Sequence, residues 1–458
     1  MDSQRTNGEN NFGTDRSAIS FLDWKNFFSE ISIEGIRYVI KPGVHISRRI
    51  FWFILIILSF GFLLFQIQSR FAYYKSRPTR VDISFIRNET LRFPTITICN
   101  SNYINLTRTK EFGITDIVRE LNSENPNFSF VEKAFKENPN VNLNEIHDYL
   151  SMDVARQIIT CSFSGKPCSA SDFTIVQTSA GKCFQFNTKT QGYMVNEPGL
   201  KFGFNIKLYA DEKNYLFTSW NSVGYRILLH DELAKPDVDV FGFIIGVGAL
   251  TSVSIKLNKF IRLPQPYGEC NDSKNYRYDA CIEQCKAKFI VKSCKCVPLW
   301  YSAESTVCDP LRVSVCALPK MQEYYLTNQQ SKCSCKSQCH DLNYDYSLSS
   351  SRFSKIDKNI MATSTGMTVK EVEDNIVSLN IHFSSLEYQK IEIKKAYPIL
   401  ALFSDIGGAF GLFLGSTIIT FIEIADWLLL NTMIICKRYY SRQKANILKV
   451  KPSDNADS

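Results

Sequence analysis

Residues 398–436 read PILALFSDIGGAFGLFLGSTIITFIEIADWLLLNTMIIC. The run is apolar and long enough to cross a bilayer. It nevertheless carries glycines at 407, 408, 411 and 415, and carboxylates at Asp405, Glu423 and Asp426. A plain membrane anchor needs neither. Charge in hydrocarbon costs at least about 2–3 kcal/mol, so such side chains face a partner helix or a water-filled path. Small residues let helices approach closely and expose backbone carbonyls, which a cation can accept in place of hydration water. Gly415-Ser416-Thr417 followed by Glu423 and Asp426 therefore reads as a constriction in a pore with an acidic vestibule beyond it.

One other stretch has membrane length: Ser47-Arg48-Arg49 precedes IFWFILIILSFGFLLFQI, and residues 50–70 form a first transmembrane helix. Arg37, Lys41, Arg48 and Arg49 lie before it, and Lys437, Arg438, Arg442 and Lys444 follow the second stretch. The positive-inside rule then places both termini in the cytoplasm and the middle outside, with a retained signal anchor rather than a cleaved leader. The expected segments are 1–49 cytoplasmic, 50–70 membrane, 71–397 extracellular, 398–436 membrane and 437–458 cytoplasmic.

Cysteine placement tests this independently. Of fifteen cysteines, fourteen fall between the two apolar stretches and the fifteenth, Cys436, sits at the inner end of the second. That distribution fits an oxidised ectodomain with a reduced cytosolic edge. Zinc is the rival for Cys294-X-Cys296 and Cys333-X-Cys335, but C-x-C is not finger spacing, and neither a metal nor a cofactor is expected. Sequons at Asn88, Asn105, Asn127 and Asn271 also lie outside. The net charge of +8 arises largely in the short cytoplasmic segments that meet anionic lipid, so a nucleic-acid role is discounted. Neither H-E-x-x-H nor G-x-S-x-G occurs, and no enzyme is expected.

Between the membrane stretches, 101–160 is Asn/Glu/Ser-rich with helix-like runs, KEFGITDIVRELNS and EIHDYLSMDVARQII. YRILLH and TSVSIKLNKFIRL have strand character, and a cysteine-rich part spans about 270–339. TVKEVEDN suggests a short helix; SLNIHFSSLEYQKIEI, alternating apolar and polar, predicts a half-buried strand running into the pore helix.

Three segments in this order resemble the degenerin / epithelial sodium channel / acid-sensing ion channel superfamily, over nearly the whole chain. They are FPTITICN (93–100), CIEQCKAKFIVKSCKCVPLWY (281–301) and KKAYPILALFSDIGGAFGLFLGSTIITFIEIADW (394–427). The resemblance implies a membrane α+β fold: a trimer whose subunits each have two membrane helices and a disulfide-rich ectodomain of palm, knuckle, finger, β-ball and thumb. It implies a selectivity filter at Gly415, Ser416 and Thr417, with Thr where the family usually has Ser. It further implies a blocker position at Gly411, a gate position at Ala401 and acidic residues below the filter at Glu423 and Asp426. The implied disulfides are Cys99–Cys183, Cys161–Cys168, Cys270–Cys339, Cys281–Cys335, Cys285–Cys333, Cys294–Cys316 and Cys296–Cys308. Tyr267 matches the aromatic at the base of the thumb that contacts Tyr73 or Tyr74.

Two departures from the family bear on gating. Its His-Gly before the first helix is Glu34-Gly35 here, and the stretch Ser76 to Asp82 lacks the histidine of acid-sensing members. A switch near neutral pH loses its natural titrating group there, and the five histidines (45, 147, 230, 340 and 382) are scattered. The expectation is an amiloride-sensitive, sodium-conducting channel subunit opened by an extracellular ligand, an amidated neuropeptide, as in the cnidarian-type peptide-gated branch. Its expected partners are two further subunits in a heterotrimer, the peptide, sodium with some calcium, and membrane lipid. Proton or mechanical gating, or a non-conducting surface receptor, are the alternatives.

Overall fold

The computed structural model describes residues 31, 33, 35–40, 43–121, 123, 127–137, 153–188, 192–216 and 222–449. The chain divides into two units, Met1–Thr79 with Lys395–Ser458, and Arg80–Lys394.

In the first unit a 30-residue helix, Ile46–Lys75, overruns the expected residues 50–70 at both ends. It leaves its apolar side chains exposed, as a lipid-facing helix does, while Leu63 is buried. The second apolar stretch is not one helix. It forms Ile399–Leu414 and Ile418–Lys449, separated by residues 415–417. Among the described residues, two helices are long and apolar enough to cross a membrane: Ile46–Lys75 and the Ile418–Lys437 part of the last one. Helix Ile399–Leu414 packs along the first, with Phe62 and Phe413 stacked 6.3 Å apart.

Among the described residues the second unit is built on fifteen strands (the first begins and the last ends one residue outside it): β1 (Thr79–Arg87), β2 (Leu91–Arg92), β3 (Thr95–Asn100), β4 (Ile158–Phe163), β5 (Lys166–Pro167), β6 (Phe173–Thr178), β7 (Gly181–Phe186) and β8 (Met194–Val195). Then come β9 (Phe204–Tyr209), β10 (Gly224–His230), β11 (Phe243–Gly246), β12 (Ala249–Ile261), β13 (His340–Arg352), β14 (Ile376–Phe383) and β15 (Glu387–Lys395). An eight-stranded sheet runs β1-β15-β12-β14-β9-β4-β5 with β13 on β12, and a five-stranded sheet runs β11-β10-β3-β7-β6. One apolar core draws on both sheets: Ile98, Phe186 and Tyr225 from the smaller, Phe204, Val253 and Leu379 from the larger.

FPTITICN supplies β3, the buried middle strand of the smaller sheet. Its polar members are satisfied inside: Thr97 Oγ1 lies 2.7 Å from His230 Nε2, and Asn100 Nδ2 donates to the Ala210 carbonyl at 3.2 Å.

The single half-buried strand expected over 378–393 is two strands. β14 pairs in parallel with the first half of β12 and β15 with its second half, so the chain steps across at 384–386. β14 is buried nearly throughout, because β9 flanks its other edge and polar Asn380 is satisfied by Leu200 and Asn205. Of the two helix-like runs, the first holds helix Thr115–Leu121. The second lies largely outside the described residues; its end forms helix Val154–Gln157 and then, at Ile158-Ile159, enters β4.

All fourteen cysteines between the membrane stretches are bonded, as Cys99–Cys183, Cys161–Cys168, Cys270–Cys339, Cys281–Cys335, Cys285–Cys333, Cys294–Cys316 and Cys296–Cys308. Four of these bonds tie helix Tyr278–Cys294 and the turn after it to the chain that follows.

Candidate functional site: a broken membrane helix and an ectodomain cavity

The break at 415–417 is a built feature. A helix ending at Leu414 leaves the carbonyls of its last turn without intrahelical donors. Gly415 turns the chain with φ +63°, its N–H returning to the Gly411 carbonyl at 3.0 Å. Ser416 is buried, and both its N–H (3.4 Å) and its hydroxyl (3.3 Å) return to the Phe410 carbonyl. The Thr417 N–H donates to Thr420 Oγ1 at 3.1 Å, so the buried Thr420 closes the start of the next helix. Phe410 and Phe421 meet edge to face across the break. The Ser416 hydroxyl is thus spent on the turn, and what this segment can offer a cation is backbone carbonyl and the exposed Thr417 side chain. Gly407 and Gly408 have open space where a Cβ would stand, and a Cβ on Gly411 would lie 3.9 Å from the Ser416 carbonyl oxygen.

Asp405, one of the three expected pore carboxylates, is engaged within its own unit. The Tyr397 hydroxyl donates to its Oδ2 at 2.6 Å, and Arg70 Nε on the first helix lies 3.6 Å away. Tyr73 and Tyr74 both pack edge-on against Tyr397. Ala401 sits in the first turn after Pro398, its N–H on the Pro398 carbonyl. Glu423 and Asp426 follow on the next helix, Glu423 half-buried and Asp426 exposed. Tyr267 is a half-buried residue of the second unit, its N–H on the Pro264 carbonyl. At the other end of the first helix, Gly35 (φ +91°) lies against Trp52, on which Tyr38 stacks at 4.9 Å. Arg37 and Arg48 each place a guanidinium over the Tyr38 ring. Glu34 lies outside the described residues.

Asn88 and Asn127 are exposed. Asn105, Asn127 and Asn271 use Oδ1 to accept a backbone N–H, which leaves Nδ2, the atom a glycan would take, out of those bonds.

In the second unit a cavity of about 1110 Å³ lies between the smaller sheet, the loop before helix Val238–Phe241, and helix Tyr278–Cys294. No motif in the sequence marks it, and four of its ion pairs join residues more than forty positions apart. Seven carboxylates line it, and six stand within 4 Å of a cation of this chain. Arg277 meets Asp231 at 2.9 Å and Asp279 at 3.8 Å; Lys286 meets Asp237 at 3.2 Å. Arg226 meets Asp239 at 3.4 Å, Lys235 meets Glu283 at 3.9 Å, and Arg262 meets Asp341 at 3.5 Å. The seventh, Asp345, accepts from the Asn258 and Asn343 amides. Val240, Phe241, Leu233 and Tyr325 leave apolar surface exposed at this cavity or its flanking loop.

Burial pushes the Asp239 carboxyl up, outweighing the Ser179 hydroxyl and Arg226. Burial likewise lowers His230, whose Nδ1 lies 2.7 Å from the Asp231 carbonyl. Asp82, the carboxylate left near the first strand, is held low by its hydrogen bond from Lys394, with Arg80 adding to it.

A family model described as amiloride-sensitive sodium channel matches residues 27–427. Acid-sensing ion channel 1C of Danio rerio is 28% identical over 438 residues, covering 88% of this chain and 82% of that protein. Acid-sensing ion channel 2 of Homo sapiens is 27% identical over 438 residues, covering 88% and 85%. Acid-sensing ion channel 1 of Gallus gallus is 27% identical over 437 residues, covering 88% and 82%.

Proposed function

From the premise that this chain belongs to the amiloride-sensitive sodium channel family, we propose that it is a subunit of a trimeric, sodium-conducting channel opened by an extracellular peptide. The family makes it a cation-channel subunit of the plasma membrane and not an enzyme. The observation that carries conduction is the helix break: Gly415, Ser416 and Thr417 interrupt an apolar helix and tie it off internally. Three copies around an axis would form a ring of carbonyls narrow enough to prefer a small cation. Glu423 and Asp426 lie below that ring and raise local cation concentration. Ala401 is the gate position, Gly411 the amiloride position, and Tyr267 couples the thumb to Tyr73 and Tyr74. Both termini face the cytoplasm, Gly35 turns the chain beneath the first helix, and Glu34 in place of histidine favours assembly with sister subunits.

Peptide rather than proton gating is supported by the cavity. Its carboxylates already hold cations of this chain, and the exposed aromatic and aliphatic side chains beside them suit an amidated peptide carrying an aromatic residue. The raised carboxyl of Asp239 favours a second reading, a proton-opened channel.

Voltage clamp of oocytes expressing the chain, alone and with sister subunits, separates these readings. The expected result is an amiloride-blocked inward sodium current evoked by amidated peptide and lost in Gly415→Val. Current to acid alone would move the proton reading ahead. Surface protein silent to every stimulus, even with Ala401→Phe, would leave a non-conducting receptor.

A further inference from the structure

We propose that Lys286 sets the stimulus this chain ignores: it carries the positive charge that closes helix Tyr278–Cys294 onto the 231–241 loop, so that closure needs no proton. The inference rests on the ligand-opened reading for its physiological meaning, but its geometry stands alone. Lys286 is 8% exposed, and a lysine that far from water is ordinarily paired. Its Nζ lies 3.2 Å from Asp237 Oδ2 on the loop and 5.1 Å from the centre of the Tyr325 ring on helix Leu318–Leu326. A carboxylate and an aromatic face are the two groups that hold a desolvated ammonium best.

Other pairs join the same helix and loop, and each of them also carries its own cation. Asp239, the next carboxylate on the loop, is occupied by Arg226 and Ser179. Glu283, one turn earlier on the helix, accepts the Ser302 N–H at 2.7 Å and meets Lys235. Arg277, just before the helix, meets Asp231. Asp279 meets Arg277 and accepts the Lys235 N–H, Tyr278 and His230 line the same cavity with burial lowering the imidazole, and burial holds the Tyr301 and Tyr324 hydroxyls above their ordinary values. Burial works against the Lys286 charge, but Tyr325 and the Asp237 carboxylate outweigh it and hold the ammonium above its ordinary value. The ammonium of this clasp therefore stays charged from neutral to mildly acidic pH.

A carboxylate at position 286 would invert this behaviour. Two carboxylates at that separation repel until they share a proton, so closure would require acid.

Hydrogen exchange of the full chain in detergent tests the clasp without requiring current. Protection of residues 278–294 and 231–241 is compared at about pH 7.4 and about pH 5.5, corrected for the intrinsic exchange rate. Wild type and Lys286→Arg should show equal protection at both. Lys286→Glu should lose about tenfold at the higher pH and regain it at the lower, and Lys286→Met should lose it at both. If Lys286→Glu fails to fold, Asp237→Asn serves, and should lose protection at both. Wild-type protection that itself changes about tenfold between the two pH values would overturn the proposal. So would a folded Lys286→Glu that follows Lys286→Met, or an Asp237→Asn as protected as wild type. In oocytes, Lys286→Glu should gain an acid-evoked current that wild type lacks. The expected exchange with no current in any form would remove the channel reading and leave the clasp standing.

Discussion

Gly415 holds φ +63° at the end of helix Ile399–Leu414, while Gly411, one turn earlier, has ordinary helical backbone and room for a methyl group. The two should answer differently to the same substitution. An alanine in left-handed backbone costs about 1–2 kcal/mol, so Gly415→Ala pulls the chain back toward continuous helix and erases the turn that Ser416 and Thr420 complete. Gly411→Ala gains about 0.8–1 kcal/mol of helix propensity and leaves that turn in place. The sodium-to-potassium reversal potential should therefore collapse toward non-selectivity in Gly415→Ala and stay at the wild-type value in Gly411→Ala, where amiloride block weakens. Equal selectivity in both variants would sink the assignment of the turn as the filter. In the sequence these glycines look alike, because composition reports small residues without reporting the sign of φ. The same holds at the other end of the first helix, where Gly35 packs against Trp52 with φ +91°. The sequence shows the glycine but not the ring it must avoid.

At the scale of elements, the hydrophobic stretches were readable because twenty apolar residues have few other uses, whereas their internal joints were not. The break at 415–417 depends on side-chain hydroxyls returning to carbonyls six residues back and on a hydroxyl three ahead. The step between β14 and β15 depends on both strands sharing one edge of β12. The contact that joins the first helix to Ile399–Leu414 is likewise invisible in sequence, since Arg70 and Asp405 are far apart along the chain. Asp405 has two partners of unequal strength, of which Arg70 is the one on the first helix. Tyr397 donates to Asp405 at 2.6 Å, a hydrogen bond to a charged group worth about 1.5–3 kcal/mol. Arg70 stands at 3.6 Å with both side chains about 40% exposed, the regime in which a pair contributes roughly 0–1 kcal/mol. Thermal unfolding of the detergent-solubilised chain should show Tyr397→Phe losing more stability than Arg70→Gln. Asp405→Asn should fall between them, because an amide oxygen still accepts from Tyr397. The reverse order would mean that the ion pair, not the tyrosine hydroxyl, is the stronger hold on Asp405.

For the whole molecule, oxidised cysteines and two membrane helices could be read from placement alone, but the balance of protons could not, because it depends on which charges folding brings together. Asp82 and Glu392 are held below their ordinary values by lysine hydrogen bonds, so their contribution is present above the usual carboxylate range and fades only in strong acid. His230 acts at milder pH. Buried against Thr97 and the Asp231 carbonyl, it titrates below its ordinary 6.5 when folded. The unfolded chain therefore binds the proton first, and the stabilisation, complete above about pH 6.5, is lost as pH falls through that value toward the folded one. Asp239 runs the other way. Its carboxyl is raised by burial, so the folded chain binds that proton first, and its charged form costs stability as pH rises. The two terms have opposite sign, so each partly masks the other in the wild-type melting curve. Asp239→Asn removes the opposing term, and its melting temperature should fall more steeply than wild type as pH is lowered from neutral toward the ordinary carboxylate range. Adding His230→Gln should flatten that slope while lowering the plateau above about pH 6.5, since the glutamine cannot make both imidazole contacts. A double variant as steep as Asp239→Asn would exclude His230 as the acid-sensitive group of the smaller sheet. The slope would then have to be assigned to another histidine that folding lowers, and His382, whose imidazole burial also holds down, is that group.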